Sequence, residues 1–316
     1  MLLFNDRAVI FIKYSDERET QAMSRRLTIT DLNEAKRQGQ KIAAISCYDY
    51  TTAKLVSQAD VQMILVGDSA AEVVLGHDST LPATMDFMVT ITAAVRRGAP
   101  DVFLVADMPF LSCQVGKTEA VKNAGRFMSQ AGAQMVKIEA NCADLDVLKA
   151  VSDAGIAVMG HIGIRPQNIS KIGRFKAEGT TARNAVEMIH LAEQMVDYGA
   201  SALLIEGTAA EVAEIITSRC DVPVISCGAG PHCDGQILIV TDILGLTQGP
   251  SPKFARDFGQ LAGRTIEAFN TYANDIHEGK FPDQEHSYHM KSGQFEQLQE
   301  LLRGKPKSEE LQINTL

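Results

Sequence analysis

Met63-Ile64-Leu65-Val66-Gly67-Asp68-Ser69 is the stretch whose reading decides the fold. Four apolar residues run straight into Gly-Asp-Ser. A short apolar run closed by a glycine reads as a buried strand that stops abruptly, with a carboxylate where the chain leaves the core. A single ending of this kind serves as well for a helix cap as for a site. Its weight comes from repetition along the chain.

Seven further apolar runs have the same form. Strands are predicted over 42–46, 63–66, 102–106, 135–138, 156–159, 202–205, 223–226 and 237–240. Helical patterns fall between most of them, over 51–59, 86–97, 118–131, 145–154, 182–198 and 209–219. A first helix is read from Thr30-Asp31 and Glu34 up to Gly39, and a late one over 254–274. Continuous apolar runs are what parallel strands buried on both faces look like. Eight of them alternating with helices predict an α/β chain folded as a single-domain (β/α)8, or TIM, barrel. A doubly wound open sheet is the alternative, kept open by the short connection between the last two strands.

The 316 residues are 45% hydrophobic, enough for a sizeable core. Net charge is -9 with no strongly basic stretch, which argues against nucleic acid as a partner. No apolar run approaches the roughly 20 residues that span a bilayer. Cysteines stand at 47, 113, 142, 220, 227 and 233, without a Cys-x-x-Cys pair, so neither a zinc site nor a disulfide framework is expected. A reducing cytoplasm fits that usage. Residues 1–24 read as a loosely ordered N-terminal extension with Met23 as a candidate start, 25–289 as the barrel, and 290–316 as a polar tail.

In a barrel of this kind the active site lies at the C-terminal ends of the strands. Asp49, Asp68, Asp107, Glu139, Glu206 and Asp242 stand there. Six acids at one mouth repel unless a cation lies among them. Oxygen-only ligands point to a hard ion such as Mg2+, with Asp68 and Asp107 the best pair. Within Met135-Val136-Lys137-Ile138-Glu139, residues two apart share a face, so Lys137 and Glu139 point into the lumen and Val136 and Ile138 outward. An inward lysine needs an anion, either Glu139 in a structural ion pair or a substrate carboxylate. Glu206, buried near other acids, is a candidate base for a proton beside a carbonyl; a helix cap is its bland alternative. His161 is a candidate pocket residue, and Gly228-Ala229-Gly230 a candidate phosphate loop.

Several strings carry a resemblance in order along the chain. They are Val66-Gly67-Asp68-Ser69, Gly76-His77-Asp78-Ser79-Thr80-Leu81-Pro82, Arg96-Arg97-Gly98-Ala99-Pro100, Ala106-Asp107-Met108-Pro109-Phe110 and Val136-Lys137-Ile138-Glu139. Gly160-His161-Ile162-Gly163, Gly228-Ala229-Gly230, Cys233-Asp234-Gly235-Gln236 and Glu285-His286-Ser287 continue the series. Over 25–289 the chain resembles the ketopantoate hydroxymethyltransferase family. The resemblance implies a barrel in a large homo-oligomer, commonly a decamer. It implies transfer of a one-carbon unit from 5,10-methylenetetrahydrofolate to 3-methyl-2-oxobutanoate, giving 2-dehydropantoate for pantothenate and coenzyme A synthesis. Carried over by motif, Asp68, Asp107 and Glu139 resemble the Mg2+ site. Ser69, with Asp68 and Asp107, resembles the 2-oxo acid site, Lys137 its carboxylate partner, and Glu206 the catalytic base.

The chain departs from the family pattern at Ala70-Ala71-Glu72, at Arg165 before Pro166-Gln167, through Ile172-Gly173-Arg174-Phe175-Lys176-Ala177-Glu178-Gly179, and at Gly207-Thr208-Ala209. These loops are expected to border the substrate or folate. A paralogue acting on another 2-oxo acid, a Mg2+-dependent lyase of the phosphoenolpyruvate mutase and isocitrate lyase type, and an inactive scaffold barrel are the competing readings.

Overall fold

The computed structural model describes residues 25–139, 144–249 and 252–304. The expected N-terminal extension and the end of the polar tail lie outside the described residues. Eight strands, β1 (Ile42–Ser46), β2 (Met63–Val66), β3 (Phe103–Asp107), β4 (Met135–Glu139), β5 (Ala157–Gly163), β6 (Ala202–Glu206), β7 (Val224–Cys227) and β8 (Gly235–Ile239), pair in sequence order. All pairings are parallel, and β8 returns to β1, closing the barrel.

The helices are α1 (Ile29–Arg37), α2 (Tyr50–Val56), α3 (Ala70–Val73), α4 (Met85–Gly98), α5 (Lys117–Ala131), α6 (Leu145–Asp153) and α7 (Ile169–Ile172). They continue as α8 (Ala182–Asp197), α9 (Ala210–Arg219), α10 (Val240–Leu244), α11 (Leu261–His277) and α12 (Gln294–Arg303). The chain divides into two compact units, one running to Gly259 and the other from Gln260. The second holds α11 and α12.

Alternation along each strand sorts the core into two shells. Ile64, Val66, Leu104, Ala106, Val136, Ile138 and Leu203 pack outward under the helices. Met63, Leu65, Phe103, Val105, Met135, Met159 and Leu204 fill the lumen. Each such side chain taken from water contributes about 1.5–3 kcal/mol, so the lower lumen is a packed core and not a channel. At the N-terminal mouth α1 lays Leu32 into that inner cluster. Its position is fixed from the neighbouring loops. Leu27 N–H donates to Asp101 O at 2.9 Å, Gln134 Nε2 to Leu27 O at 2.6 Å, and Lys36 Nζ to Asp234 Oδ2 at 2.7 Å.

Several boundaries differ from the sequence expectation, for physical reasons. Strands β3, β4, β5 and β6 run past their apolar residues to include Asp107, Glu139, His161 and Glu206. Parallel pairing continues through Asp107↔Lys137, Glu139↔His161 and Gly163↔Glu206, so the ladder does not end where hydrophobicity does. The first helix is capped by Thr28, whose backbone N–H and hydroxyl both donate to Asp31, and not by Thr30. Residues 254–260 are not helical, and α11 starts at Leu261. Thr241 and Asp242 lie in α10, beyond a strand that ends at Ile239.

Candidate active site

The lumen changes character at its C-terminal end. Below, it is lined by methionine, leucine and phenylalanine. Above, successive strands turn Asp107, Lys137, Glu139, His161 and Glu206 inward, the first four almost fully buried. The spacing of two along β4 that puts Met135 in the inner core also puts Lys137 and Glu139 there. Lys137 Nζ lies 2.9 Å from Asp107 Oδ1, 3.8 Å from Glu139 Oε1 and 3.1 Å from His161 Nδ1. His161 Nε2 lies 3.4 Å from Glu206 Oε2.

Asp68 joins this group from the loop after β2. Its backbone N–H donates to Asp107 Oδ2 at 3.0 Å. Gly67 permits that turn: a Cβ there would meet Ser69 Oγ at 2.8 Å. Ser69 Oγ in turn shares a 2.8 Å hydrogen bond with the hydroxyl of Tyr48, a buried residue just past β1. Gly163 closes the far side, at φ +90°, where a Cβ would lie 2.1 Å from Glu206 O. A side chain there would force β5 and β6 apart.

Burial governs the ionisation of the group. It pushes the Asp107 carboxyl up to about 8, with the Asp68 charge adding and Lys137 opposing. Glu139 is raised well above the carboxylate range by burial, again against Lys137. Glu206 is raised to about 7 by burial, with Lys137 pulling the other way. Lys137 is itself held charged, because Asp107, Glu139 and Asp68 outweigh its desolvation. His161 is pushed well below its usual value by burial and by the Lys137 charge. A neutral His161 that accepts from Lys137 at Nδ1 carries its proton on Nε2, facing Glu206.

The structure therefore brings together Asp68, Asp107, Lys137, Glu139, His161 and Glu206, with Ser69 beside Asp68. Of the other two acids of the sequence set, Asp49 turns away, and Asp242 bonds elsewhere while staying close enough for its charge to raise the Tyr48 hydroxyl. Asp49 is an exposed N-cap of α2, accepting from Thr52 N–H at 2.9 Å. Asp242 accepts from Thr247 Oγ1 at 2.6 Å. The glycines of Gly228-Ala229-Gly230 serve packing. A Cβ on Gly228 would meet the Phe254 ring at 2.3 Å, and Ala229 N–H donates to Ser226 Oγ. Two residues of the site were not singled out from sequence, Tyr48 and Gln167. Gln167 Nε2 donates to Asp68 Oδ2 at 2.9 Å. Its one sequence signal is the Pro166-Gln167 step, which sets a short 3-10 turn directly after β5.

The donor set suits a hard divalent cation. Asp107 Oδ1 and Glu139 Oε1 are buried acceptors without a well-aligned hydrogen bond. Among the described residues no group of three or more His, Cys, Asp or Glu side chains is placed to hold a metal ion by itself. Mg2+ takes one or two carboxylates and completes its shell with water and substrate oxygens.

A sequence profile of ketopantoate hydroxymethyltransferase matches residues 26–284. The chain belongs to the ketopantoate hydroxymethyltransferase family. It is 44% identical over 277 residues to the 3-methyl-2-oxobutanoate hydroxymethyltransferase of Hyperthermus butylicus, covering 88% of this chain and 96% of that one. It is 40% identical over 273 residues to the enzyme of that name from Syntrophomonas wolfei subsp. wolfei, covering 86% and 99%. In fold it is similar to phosphonopyruvate hydrolase in a complex with oxalate and Mg++, at TM-score 0.54 and 14% identity over 88% of this chain and 97% of that one. It is also similar to 2,3-dimethylmalate lyase of the PEP mutase/isocitrate lyase superfamily, at TM-score 0.54 and 17% identity over 88% and 99%. Those two likenesses are of fold alone. The sequence places the chain with the hydroxymethyltransferases and not with the lyases.

Against the family pattern, the Ala70-Ala71-Glu72 departure forms α3 directly after Ser69. Burial and the charges of Asp68 and Glu206 raise the Glu72 carboxyl. Arg165 is near enough for its charge to act on His161. Arg174, Lys176 and Glu178 line a recess with Ile164 and Ile172 beside the end of β5.

Proposed function

We propose that this chain catalyses hydroxymethyl transfer from 5,10-methylenetetrahydrofolate to 3-methyl-2-oxobutanoate, giving 2-dehydropantoate for pantothenate and coenzyme A synthesis. The observation that carries the reading is the placement of Glu206. It is an inward carboxylate raised to about 7, beside a neutral imidazole, at the rim of a buried ammonium–carboxylate group. A base tuned near neutrality suits removal of a proton next to a carbonyl.

In this reading Glu206 takes the C3 proton of the 2-oxo acid. Lys137 and Ser69 hold the substrate's carboxylate end, and Lys137 keeps its charge throughout. His161 carries its Nε2–H on the side of Glu206, whose Oε2 lies 3.4 Å away with no hydrogen bond formed. C3 forms the new bond to the folate methylene carbon. Water supplies the hydroxyl, and the two folate nitrogens regain the proton lost from C3 and one from water. Asp68 and Asp107, with Glu139 as third acid, would hold Mg2+, whose Lewis acidity at the keto oxygen supplies the acidification of C3.

A homo-oligomer belongs to the same reading. Ile266, Phe269, Tyr272 and Ile276 of α11 are exposed, as an unpartnered apolar face would be. The described cysteines are all free, which supports a cytoplasmic setting, and no helix among the described residues is long and apolar enough to cross a membrane.

Deuterium exchange at C3 of 3-methyl-2-oxobutanoate, followed by NMR with and without Mg2+, tests the first half-reaction. Formation of 2-dehydropantoate on adding 5,10-methylenetetrahydrofolate tests the second. Exchange that requires Mg2+ and is lost in Glu206→Gln is the expected result. Exchange indifferent to both would overturn the assignment.

A further inference from the structure

Gln167 is a side chain whose contacts exceed its apparent role as a loop residue. It lies in the 3-10 turn Pro166–Asn168 after β5 and is only 4% exposed. Asn168 N–H closes the turn onto Arg165 O at 2.9 Å, which aims Gln167 across the barrel mouth. There it joins three other segments. Its Nε2 donates to Asp68 Oδ2 at 2.9 Å and to Met108 O at 3.0 Å, and its backbone N–H donates to Glu139 Oε2 at 3.1 Å.

The two carboxylates are thus held by one oxygen each. The other oxygen of Glu139, Oε1, is buried and receives no hydrogen bond. Gln167 Oε1 is likewise buried and without a hydrogen-bond partner. An amide anchored through its nitrogen, with its carbonyl left over beside acids, is set to accept from a donor that arrives from outside. Hydrogen bonds to ligating carboxylates fix their orientation and raise affinity for the ion they hold.

Resting on the Mg2+ reading above, we propose that Gln167 is a positioning residue for the acid pair Asp68–Glu139. It turns one oxygen of each carboxylate toward the cation, and its own Oε1 accepts from a water in the cation's shell.

Mn2+ serves as the probe, titrated by electron paramagnetic resonance into the purified full-length protein with no substrate present. Gln167→Met keeps the volume and removes both polar ends, and Gln167→Glu keeps the size but replaces the donor by an acceptor. The expected result is a 10–100-fold weaker Mn2+ Kd in both variants, with circular dichroism unchanged. Excess Mg2+ is expected to restore most of kcat in Gln167→Met. A folded variant that binds Mn2+ within twofold of wild type overturns the proposal while leaving the Mg2+ reading intact. A wild-type protein that binds no Mn2+ overturns both. Should Gln167→Met not fold, the Gln167→Glu titration decides by the same criterion.

Discussion

Lys137 Nζ stands 2.9 Å from Asp107 Oδ1, and both side chains are almost wholly out of solvent. A charge pair so deep is held by its geometry, because either partner alone would carry a large desolvation cost. Lys137→Met therefore leaves Asp107 and Glu139 facing each other without a counter-ion. We expect a loss of about 3–5 kcal/mol at pH 8 by urea unfolding. The loss should shrink toward pH 5, well below the value of about 8 to which burial raises Asp107. An equal loss at both pH values would contradict this.

In the proposed reaction Glu206 sets the acid limb of the pH profile. Its carboxyl is raised to about 7 by burial, so the base is protonated below that pH and free above it. The kcat/KM for C3 exchange should rise about tenfold per pH unit below 7 and level off above it. Glu206→Gln should remove the limb and lower exchange by roughly 100-fold or more.

The same shift has a cost in stability. A carboxyl whose folded value is raised contributes most below its unfolded value near 4.5, and that contribution is lost as pH rises through about 7. Above pH 8 the ionised Glu206 is a destabilising group. Glu206→Gln should therefore be more stable to urea unfolding than wild type at pH 8, by about 1–3 kcal/mol, and with no such advantage at pH 4.

His161 is predicted to stay neutral across the working range, since burial and Lys137 both oppose its protonation. With 15N-labelled histidine, its ring should show the Nε2–H form from pH 6 to 8. A ring that titrates in that interval would remove the donor assigned to it beside Glu206.

Arg96 tests stability away from the chemistry. Its guanidinium, buried at the other end of the barrel, donates to Gly132 O at 3.0 Å, Val102 O at 2.9 Å and Gln134 Oε1 at 2.8 Å. Ala99 O and Pro100 O also receive hydrogen bonds from it. Arg96→Met removes these hydrogen bonds, although Pro100 O still accepts from Arg26 Nε and Gln134 Oε1 from the Leu104 N–H, and should destabilise by about 3 kcal/mol. The KM for the 2-oxo acid should not move.

Much of this was legible from alternation and repetition. The parity of Met135, Lys137 and Glu139 follows from strand geometry alone, so the inward lysine is legible in the sequence. The same rule applies to Asp107 and Glu206, each one step past an apolar run. Asp49 and Asp242 have the same local sequence signature, yet one caps a helix and the other bonds Thr247. Local pattern does not separate an acid that turns into the lumen from one that turns along the next helix. Gln167 was not legible because its importance is set by contacts with residues 28 and 99 positions away in the chain. Strands β3 to β6 run past their apolar residues because hydrophobicity stops before backbone pairing does.

The helix laid across the N-terminal mouth, with Leu32 pressed into the methionine-lined interior, makes the reaction chamber a cul-de-sac. Whatever reaches the floor must leave by the way it came. In the proposed reaction a small keto acid seated there would have to arrive before its folate partner, and its elongated product would leave after tetrahydrofolate. Product-inhibition kinetics should accordingly show a compulsory order, first in and last out.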